Sequence, residues 1–490
     1  MDQCLLEHKA CKVEDGVRAN FLPARLIDVH NVRLVQRGQM NNMHIRYAAL
    51  SHSWGLKSHR RHPIPKLRKE NIADREKRIE WAELTKVFQD AIIVARRINI
   101  DYLWIDSLCI VQDDDEDWAM QSSQMANIYG SSAVVISATR AATGDVGIFH
   151  HRGQGVAINN SMGISVRRRP THANFFTSHK PDFTQDPLFE RGWCFQERLL
   201  AKRIIHFTEQ ETIWECSEEL WCECQSIALE ATYRKEGNHA KDFKSRFDTL
   251  LRSENEWERN SCWLNILEGY TARKLTYETD RLPALSGLAQ QIATPTRGRY
   301  LAGMWEGDLP NSLLWYLPFM NPSVRQKIER QPCLPSWAWP SVGTAIIPHF
   351  ENSRSRSSLE TIASVLKVEC TPTTSDLFGQ VSGGYLVLEA PTMLVTLEDN
   401  EVPHLKSLVS LDDANDRCRF IPDSFTDLPV NGSEVLCTGI EHDRNEGRTS
   451  GFLCLVLRPV EASSEYRRIG QANCKSQWLA KAKKMVVRIH

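Results

Sequence analysis

Three side chains in two short stretches of the sequence could carry out nucleophilic or acid–base chemistry. His52 lies in SHSWG, and Asp106 and Cys109 lie in YLWIDSLCIVQDDDEDW. A cysteine acts as a nucleophile only when a nearby base or cation helps it to form a thiolate. A Cys109–His52 pair oriented by Asp106 would have that chemistry. In the other interpretation, Cys109 packs in the core and Asp106 accepts backbone hydrogen bonds at a strand end.

The position where the strand ends decides between these two interpretations. The apolar run predicts a strand over 102–110, and residues three apart in a strand face opposite sides of the sheet. Cys109 would then be an inert core residue on the side opposite to Asp106. If the strand ends at Asp106 instead, the following loop could turn Cys109 into a site beside His52.

A second candidate carboxylate lies in the stretch RGWCFQERLL. Its pattern predicts a helix on which Trp193 and Glu197 share one face at i, i+4 spacing, with Gln196 adjacent. In one interpretation, Glu197 forms a structural network with Arg191 or Arg198. In the other, Glu197 contacts a ribose or stabilises an oxocarbenium-like transition state, as the cleavage of a glycosidic bond requires.

These candidates follow elements that alternate between strand and helix. The sequence predicts a strand running into a turn over 46–55, a helix over 84–98, and strands over 102–110 and 133–138 with a second helix between them. This order is typical of a mainly parallel α/β sheet with helices on both faces. Ligands bind such sheets outside the carboxyl ends of the strands. The residues expected to contact a ligand are Ser51, Trp54, Gly55, Arg191, Trp193 and Gln196.

The length of the chain predicts more than one domain, because 490 residues are too many for one ordinary core. The sequence divides into an N-terminal segment at 1–45, an α/β domain at 46–225, a mostly helical region with Trp-containing motifs at 226–360 and a β-rich region at 361–490.

The overall composition argues against several classes of protein. Hydrophobic residues make up 42% and charged residues 25% of the chain, as in globular proteins. The net charge of −1 gives no reason to expect a nucleic-acid partner. The sequence lacks a run typical of a signal peptide and any run of about 18 apolar residues that could span a membrane. We therefore expect a cytoplasmic protein.

The sequence predicts no metal site and no cofactor. Cys216, Cys222 and Cys224 have the spacing C-x5-C-x-C, which matches none of the common zinc signatures. No CxxC motif or neighbouring histidine completes a set of ligands. The 14 cysteines are therefore expected to be mostly small buried residues in a reducing compartment.

Three blocks of the sequence resemble the fungal HET (heterokaryon incompatibility) domain. They are YAALSHSWG, LTKVFQDAIIVARRINIDYLWIDSLCIVQDDDEDWAMQSSQMANIYGSSAVVISA and RGWCFQERLLAKRIIHFTEQETIWEC, and they occur in order over 46–216. The later segments YTARKLTYETDRLPALSGLA, YLAGMWEGDL and PSWAWPSV resemble the region C-terminal to this domain in its stand-alone members. No GxxxxGK[ST] motif occurs, so a fusion to a nucleotide-binding domain is not expected.

This resemblance implies a fungal protein of non-self recognition. Such proteins act by association with an incompatibility partner or with themselves, and incompatible alleles trigger growth arrest and cell death. The resemblance also implies a TIR-like, flavodoxin-like fold, and TIR domains are either adaptors or NAD-cleaving enzymes. The alternative function is therefore an enzyme with its site at the strand carboxyl ends. It would be an NAD glycohydrolase or a Cys109-dependent enzyme of secondary metabolism, with NAD or another small molecule as its ligand.

Overall fold

The computed structural model divides the chain into two compact units, Met1–Cys262 and Trp263–His490. The residues that the structure describes are 1–12, 21–40, 45–55, 63–150, 156–159, 164–166, 172, 175, 186–226, 243–318, 328–349, 359–399, 406–412, 416–443 and 451–490.

An eight-stranded sheet organises the first unit. The strands in chain order are β1 (Arg25–Asp28), β2 (Arg33–Gln36), β3 (Tyr47–Ser51), β4 (Tyr102–Trp104), β5 (Val134–Ser137), β6 (Val156–Asn159), β7 (Ile164–Val166), β8 (Arg203–Phe207), β9 (Thr212–Cys216) and β10 (Leu220–Cys222). The order across the sheet is β10-β9-β8-β5-β3-β4-β1-β2, while β6 and β7 form a separate hairpin.

The sheet is mixed, although the sequence predicts a mainly parallel one. The four central strands, β4, β3, β5 and β8, run parallel to each other, as predicted. The outer strands pair antiparallel on both sides, through β1 and β2 at one edge and β9 and β10 at the other. Every residue of β3 and β5 is buried, which is typical of central parallel strands and explains their continuous apolar sequence.

The helices of this unit connect and cover the strands. They are α1 (Asp2–Glu7), α2 (Lys9–Lys12), α3 (Ile72–Lys77), α4 (Lys86–Arg97), α5 (Asp106–Cys109), α6 (Asp115–Ser123), α7 (Met125–Ser131), α8 (Gly192–Leu200) and α9 (Phe243–Leu251). The helix predicted over 84–98 is α4, and its start is capped by the Thr85 hydroxyl, which accepts a hydrogen bond from the Phe88 amide.

The prediction of a strand over 102–110 is wrong for the second half of that range. The strand ends at Trp104, and the residues from Asp106 form the helical turn α5. The Asp106 carboxylate accepts a hydrogen bond from the backbone nitrogen of Ser107 at 2.6 Å. This local contact competes with continued strand pairing and favours a turn at that position.

The region predicted as mostly helical is helical only in its first part. Helix α10 (Glu256–Thr271) contains the boundary between the two units, and α11 (Pro283–Ile292) follows it. After α11 the chain forms short 3₁₀ turns and the small hairpin of β11 (Tyr300–Leu301) and β12 (Met304–Trp305). Trp315, Trp337 and Trp339 of the predicted Trp motifs are all buried in this unit.

The C-terminal region is β-rich, as predicted. Its strands are β13 (Leu359–Thr361), β14 (Ser364–Pro372), β15 (Val381–Asp399), β16 (Lys406–Ser410), β17 (Arg417–Pro422), β18 (Glu434–Asp443), β19 (Gly451–Pro459), β20 (Tyr466–Lys475) and β21 (Lys483–Ile489), with the short helix α12 (Ser476–Lys481) before the last. The pairing of β15 with β18 closes β15 to β20 into a ring of six strands. Closure of a sheet leaves these strands without free edges. In the part of the chain that the structure describes, no helix is long and apolar enough to cross a membrane.

Candidate functional site

The central strand β3 brings its last residue to a reversal in the strand order of the sheet. From β3 the chain continues to β4 on one side and then to β5 on the other side. In open α/β sheets this reversal leaves a crevice outside the strand carboxyl ends, where ligands bind. Ser51 ends β3 and lies opposite Ser137, which ends β5. The crevice of this sheet therefore begins between these two hydroxyl groups.

A small cavity lies at this position. Its lining includes Ser51, Ser137, Cys194, Arg198 and His206. Its volume is about 10 Å³, and about one water molecule occupies a space of that size. This cavity is therefore too small for a ligand larger than water in this conformation.

Glu197 reaches the carboxyl end of β3 from helix α8. The Ser51 hydroxyl donates a hydrogen bond to Oε2 of Glu197. Burial raises the pKa of Glu197 to about 7, and the negative charge of Asp106 adds to this rise, while the hydrogen bond from Ser51 and the charge of Arg191 oppose it. A carboxyl group with that pKa exchanges its proton near neutral pH, where general acids and bases work best.

Asp106 lies at the end of the neighbouring strand β4. Its Oδ2 accepts a hydrogen bond of 2.8 Å from Nε1 of Trp54, and the Lys66 ammonium lies 4.9 Å from the centroid of a Trp54 ring. Its Oδ1 accepts the bond from the Ser107 amide, which is the contact that the structural interpretation predicts. The Asp106 side chain is 26% exposed, so this carboxylate is accessible to solvent while Glu197 is not.

His52 lies beside Asp106 without a hydrogen bond to it. Nε2 of His52 is 3.6 Å from Oδ1 of Asp106, and this buried nitrogen has no hydrogen-bond partner among the described residues. The ring packs edge-on against Phe88, with 5.0 Å between the ring centroids. Burial lowers the pKa of His52, although the charge of Asp106 opposes this shift. His52 is therefore a neutral imidazole at neutral pH, and its backbone carbonyl accepts a hydrogen bond from Arg191 Nη1 at 2.5 Å.

We call this set of residues the switch-point network. Its members are Ser51, His52, Trp54, Asp106, Arg191 and Glu197. All six are residues that the sequence predicts for the site. Among the described residues, no ion pair joins Glu197 to an arginine. Glu197 instead accepts a hydrogen bond from Ser51, and Arg191 acts on it through its charge.

Three further predicted residues have other roles. Gly55 has a φ of +68°, and a Cβ atom there would lie 2.7 Å from Cγ2 of Thr143, so a side chain would not fit the turn after Trp54. Gln196 is buried on α8, and Trp193 packs against the apolar core of the sheet. These three residues build the surroundings of the network.

Cys109 lies outside the network. The strand does end before it, but α5 turns the thiol into the apolar core, where Sγ accepts a weak hydrogen bond of 3.5 Å from the Ile105 amide. Burial raises the pKa of the Cys109 thiol to about 12. A nucleophilic cysteine requires a thiolate and access to a substrate, and this site offers neither. The structure therefore corrects the prediction of a Cys109–His52 pair and supports the core interpretation.

A second buried network, which the sequence does not predict, borders the same cavity through Arg198 and His206. Arg198 donates two hydrogen bonds to the Glu215 carboxylate, at 2.7 and 2.6 Å, and His206 Nε2 lies 2.9 Å from the same carboxylate. Nδ1 of His206 lies 3.2 Å from the Thr139 hydroxyl. Burial alone would raise the pKa of Glu215, but the charge of Arg198 and the hydrogen bond with His206 hold it well below its usual range. We call Thr139, Arg198, His206 and Glu215 the ion-pair network.

Histidines lie close to the cysteines near the β9–β10 hairpin, although the sequence spacing of these cysteines does not predict it. In each of two groups, the possible ligand atoms lie within 4.8 Å of one another. The first group is Cys4, His8, Cys11 and Cys216, and the second is His172, Glu211, Cys222 and Cys224. In the second group, His172 and Glu211 already form an ion pair of 2.6 Å. Thiolates, imidazoles and carboxylates are the ligands that zinc prefers in proteins.

Comparison with known proteins identifies one domain. The family model of the heterokaryon incompatibility protein (HET) matches residues 47–197. This range begins with β3 and ends at Glu197, so it contains every residue of the switch-point network. Searches of curated proteins and of solved structures found no match to the chain. The chain therefore contains a HET domain over residues 47–197.

Proposed function

We propose that this protein is a determinant of fungal non-self recognition. In this proposal, association with an incompatible partner, or self-association, leads to growth arrest and cell death. The observation that supports it is the HET family match over 47–197. The small cavity at the end of β3 agrees with association rather than turnover in this conformation, because its volume of about 10 Å³ is far below the roughly 300–1,000 Å³ of small-molecule sites.

Induced expression in a fungal host tests this proposal. Wild-type protein is expressed in genetically distinct strains, and growth and the fraction of dead cells are measured at matched soluble protein levels. We expect death in some strain backgrounds and normal growth in others, because recognition depends on the partner allele. Normal growth in every background, with soluble folded protein present, would contradict the proposal.

A second candidate function is hydrolysis of a glycosidic bond, with NAD as the substrate. One observation favours it: Glu197, with a pKa raised to about 7, hydrogen-bonds Ser51 beside a cavity that has room for about one water. Glycosidic-bond hydrolysis uses two carboxyl groups, one that exchanges a proton and one that remains ionised. Glu197 would exchange the proton, Asp106 would be the second carboxyl group, and the cavity would have to open to admit the substrate. The Cys109-dependent alternative has no such support.

The two candidate functions predict different results for variants that lack one carboxylate. Glu197→Gln and Asp106→Asn keep the shape of the side chain and remove the charge, and Asp115→Asn is the matched control on the exposed start of α6. If association alone kills, a variant that folds should still kill. If hydrolysis is required, Glu197→Gln and Asp106→Asn should lose both killing and the consumption of NAD by purified protein, while Asp115→Asn keeps both. Absence of NAD consumption by wild-type protein from dying cells would exclude the second candidate.

A further inference from the structure

Four metal-ligand side chains converge where the N-terminal helices meet the end of strand β9. Cys4 belongs to α1, His8 follows it, Cys11 belongs to α2, and Cys216 is the last residue of β9. The three thiols and one imidazole nitrogen lie within 4.8 Å of one another. Each of the three cysteines is at most 3% exposed, and the His8 side chain is 13% exposed. We propose that Cys4, His8, Cys11 and Cys216 bind one zinc ion.

The composition of the group matches a structural zinc site. Such sites are tetrahedral and have four protein ligands, and three cysteines with one histidine are one of the common sets. In a tetrahedron with zinc bond lengths, neighbouring ligand atoms lie about 3.5–3.8 Å apart. Sγ of Cys216 and Nδ1 of His8 are 3.4 Å apart. Small shifts of the side chains around an ion would give this geometry, because the four ligand atoms already lie within 4.8 Å of one another.

The atoms around the group hold two of its ligands in a suitable orientation. Nε2 of His8 lies 3.4 Å from Oε2 of Glu219, which leaves Nδ1 directed at the cysteines. Zinc-bound histidines usually hydrogen-bond a carboxylate through their other nitrogen, which fixes the tautomer. The backbone amide of Glu219 also donates a hydrogen bond of 3.3 Å to Sγ of Cys216. Glu219 thus supports both Cys216 and His8.

The charge of the neighbouring residues also fits a zinc–thiolate group. Three thiolates and a neutral imidazole around Zn²⁺ carry a net charge of −1. The buried Arg203 donates a hydrogen bond of 2.7 Å to the Cys11 carbonyl, and its Nε has no hydrogen-bond partner among the described residues. A buried guanidinium requires an anionic neighbour. The metal group would supply that charge beside Cys11.

A zinc ion at this position would attach the N-terminal helices to the sheet. α1 has six residues and α2 has four, and helices shorter than about 12 residues are marginal in water without other support. With all four positions taken by protein ligands, the ion would have no open position for a substrate. Its role is therefore structural, and this inference is independent of the proposed recognition function.

Metal analysis of the full-length chain tests the proposal. The protein is produced with added zinc and purified without a metal-affinity tag, and elemental mass spectrometry gives the zinc equivalents per chain. Three variants are compared with the wild type: His8→Ala/Cys11→Ala removes two ligands, His8→Cys exchanges one ligand for another, and Cys333→Ser removes an exposed thiol elsewhere. We expect the double variant to hold one equivalent less than the wild type, and the other two variants to hold the same amount.

Two outcomes would overturn the proposal. One is wild-type protein without zinc, whether its thiols are free or joined in a disulfide by intact mass. The other is a folded double variant that keeps all the zinc of the wild type, which would assign the ion to the group of His172, Glu211, Cys222 and Cys224.

X-ray absorption at the zinc edge provides a measurement that needs no variant. For wild-type protein with one equivalent, we expect three sulfur ligands at about 2.3 Å and one imidazole nitrogen at about 2.0–2.1 Å. A shell with two sulfurs would place the ion at the second group, which has only two thiols, and would contradict the proposal. This result decides the question even if the double variant fails to fold.

Discussion

Glu197 and Arg198 are consecutive residues of α8, and their side chains enter two buried networks of opposite character. Arg198 meets a carboxylate with two hydrogen bonds, and that carboxylate contacts His206 as well. Glu197 accepts a hydrogen bond from the neutral hydroxyl of Ser51, and the charge of Arg191 and a hydrogen bond with Cys194 also favour its ionised form, but burial outweighs all three. One network therefore balances its charges internally, while the other leaves a buried carboxyl group close to neutrality.

The difference separates a structural network from a candidate site. In the ion-pair network, both charges are buried and paired, as a stable interior requires. In the switch-point network, a buried nitrogen of His52 has no hydrogen-bond partner among the residues that the structure describes, Glu197 has a raised pKa, and Asp106 is partly exposed to solvent. The unpartnered nitrogen of His52 and the burial of the Glu197 carboxyl group both cost stability. Perturbed groups of this kind cluster at functional sites, and here they lie at the crevice of the sheet.

The largest expected effect comes from breaking the ion-pair network. Glu215→Gln removes the buried carboxylate and leaves the Arg198 guanidinium buried without a counter-charge. Removal of one partner from a buried pair costs about 3–5 kcal/mol. We expect a loss of that size in the free energy of opening of strands β8 and β9, measured by hydrogen exchange.

The matched control for this experiment is Glu209→Gln. Glu209 pairs with Arg140 at 2.7 Å, but its side chain is 51% exposed, and surface pairs contribute about 0–1 kcal/mol. Equal losses for the two variants would show that the Glu215 pair is no more important for stability than a surface contact.

The second effect is a change in the pH dependence of stability at the switch-point network. The pKa of Glu197 is raised from 4.5 to about 7 in the folded protein. Between these values the folded chain binds a proton that the unfolded chain has lost, so stability falls as pH rises through this window. At roughly 1.4 kcal/mol per pKa unit, the total is about 3 kcal/mol.

Glu197→Gln should therefore remove this slope. Urea unfolding from pH 4 to 8 should show the variant gaining stability relative to wild type as pH rises, with the gain complete above about pH 7. Glu116→Gln, which removes an exposed carboxylate from α6, is the control and should not reproduce this gain. A variant that loses stability relative to wild type with rising pH would show that the Glu197 carboxylate is stabilised in the fold.

The sequence predicts that the residues of the switch-point network lie near one another, because they lie at strand ends or at a short helix. Alternation of strands and helices places SHSWG and Asp106 at one edge of the parallel core, and this placement requires no knowledge of long-range contacts. The end of β4 is predicted wrongly, because an apolar run does not show where a side chain such as Asp106 will bond the backbone and begin a turn.

The ion-pair network and the cysteine–histidine group depend on contacts that spacing does not encode. Glu215 lies 17 residues after Arg198. The pairing of its strand determines on which face of the sheet the Glu215 side chain lies. His8 and Cys216 are 208 residues apart, so a search for neighbouring ligands around Cys216 does not find His8. The sequence does contain one signal for this group. Cys4, His8 and Cys11 lie close together in the sequence, at a spacing that metal ligands can have.

The smallest expected effect concerns Cys109, and it sharpens the distinction between site and core. Burial raises the pKa of this thiol to about 12, and alkylation requires the thiolate. With iodoacetamide at pH 7.5, Cys109 should remain unmodified in the folded protein while the exposed Cys333 reacts, as measured by peptide mass spectrometry. Denaturant should make both thiols react. If Cys109 reacted faster than Cys333 in the folded state, α5 would have to open toward His52, and the Cys109–His52 pair would again be a candidate for chemistry.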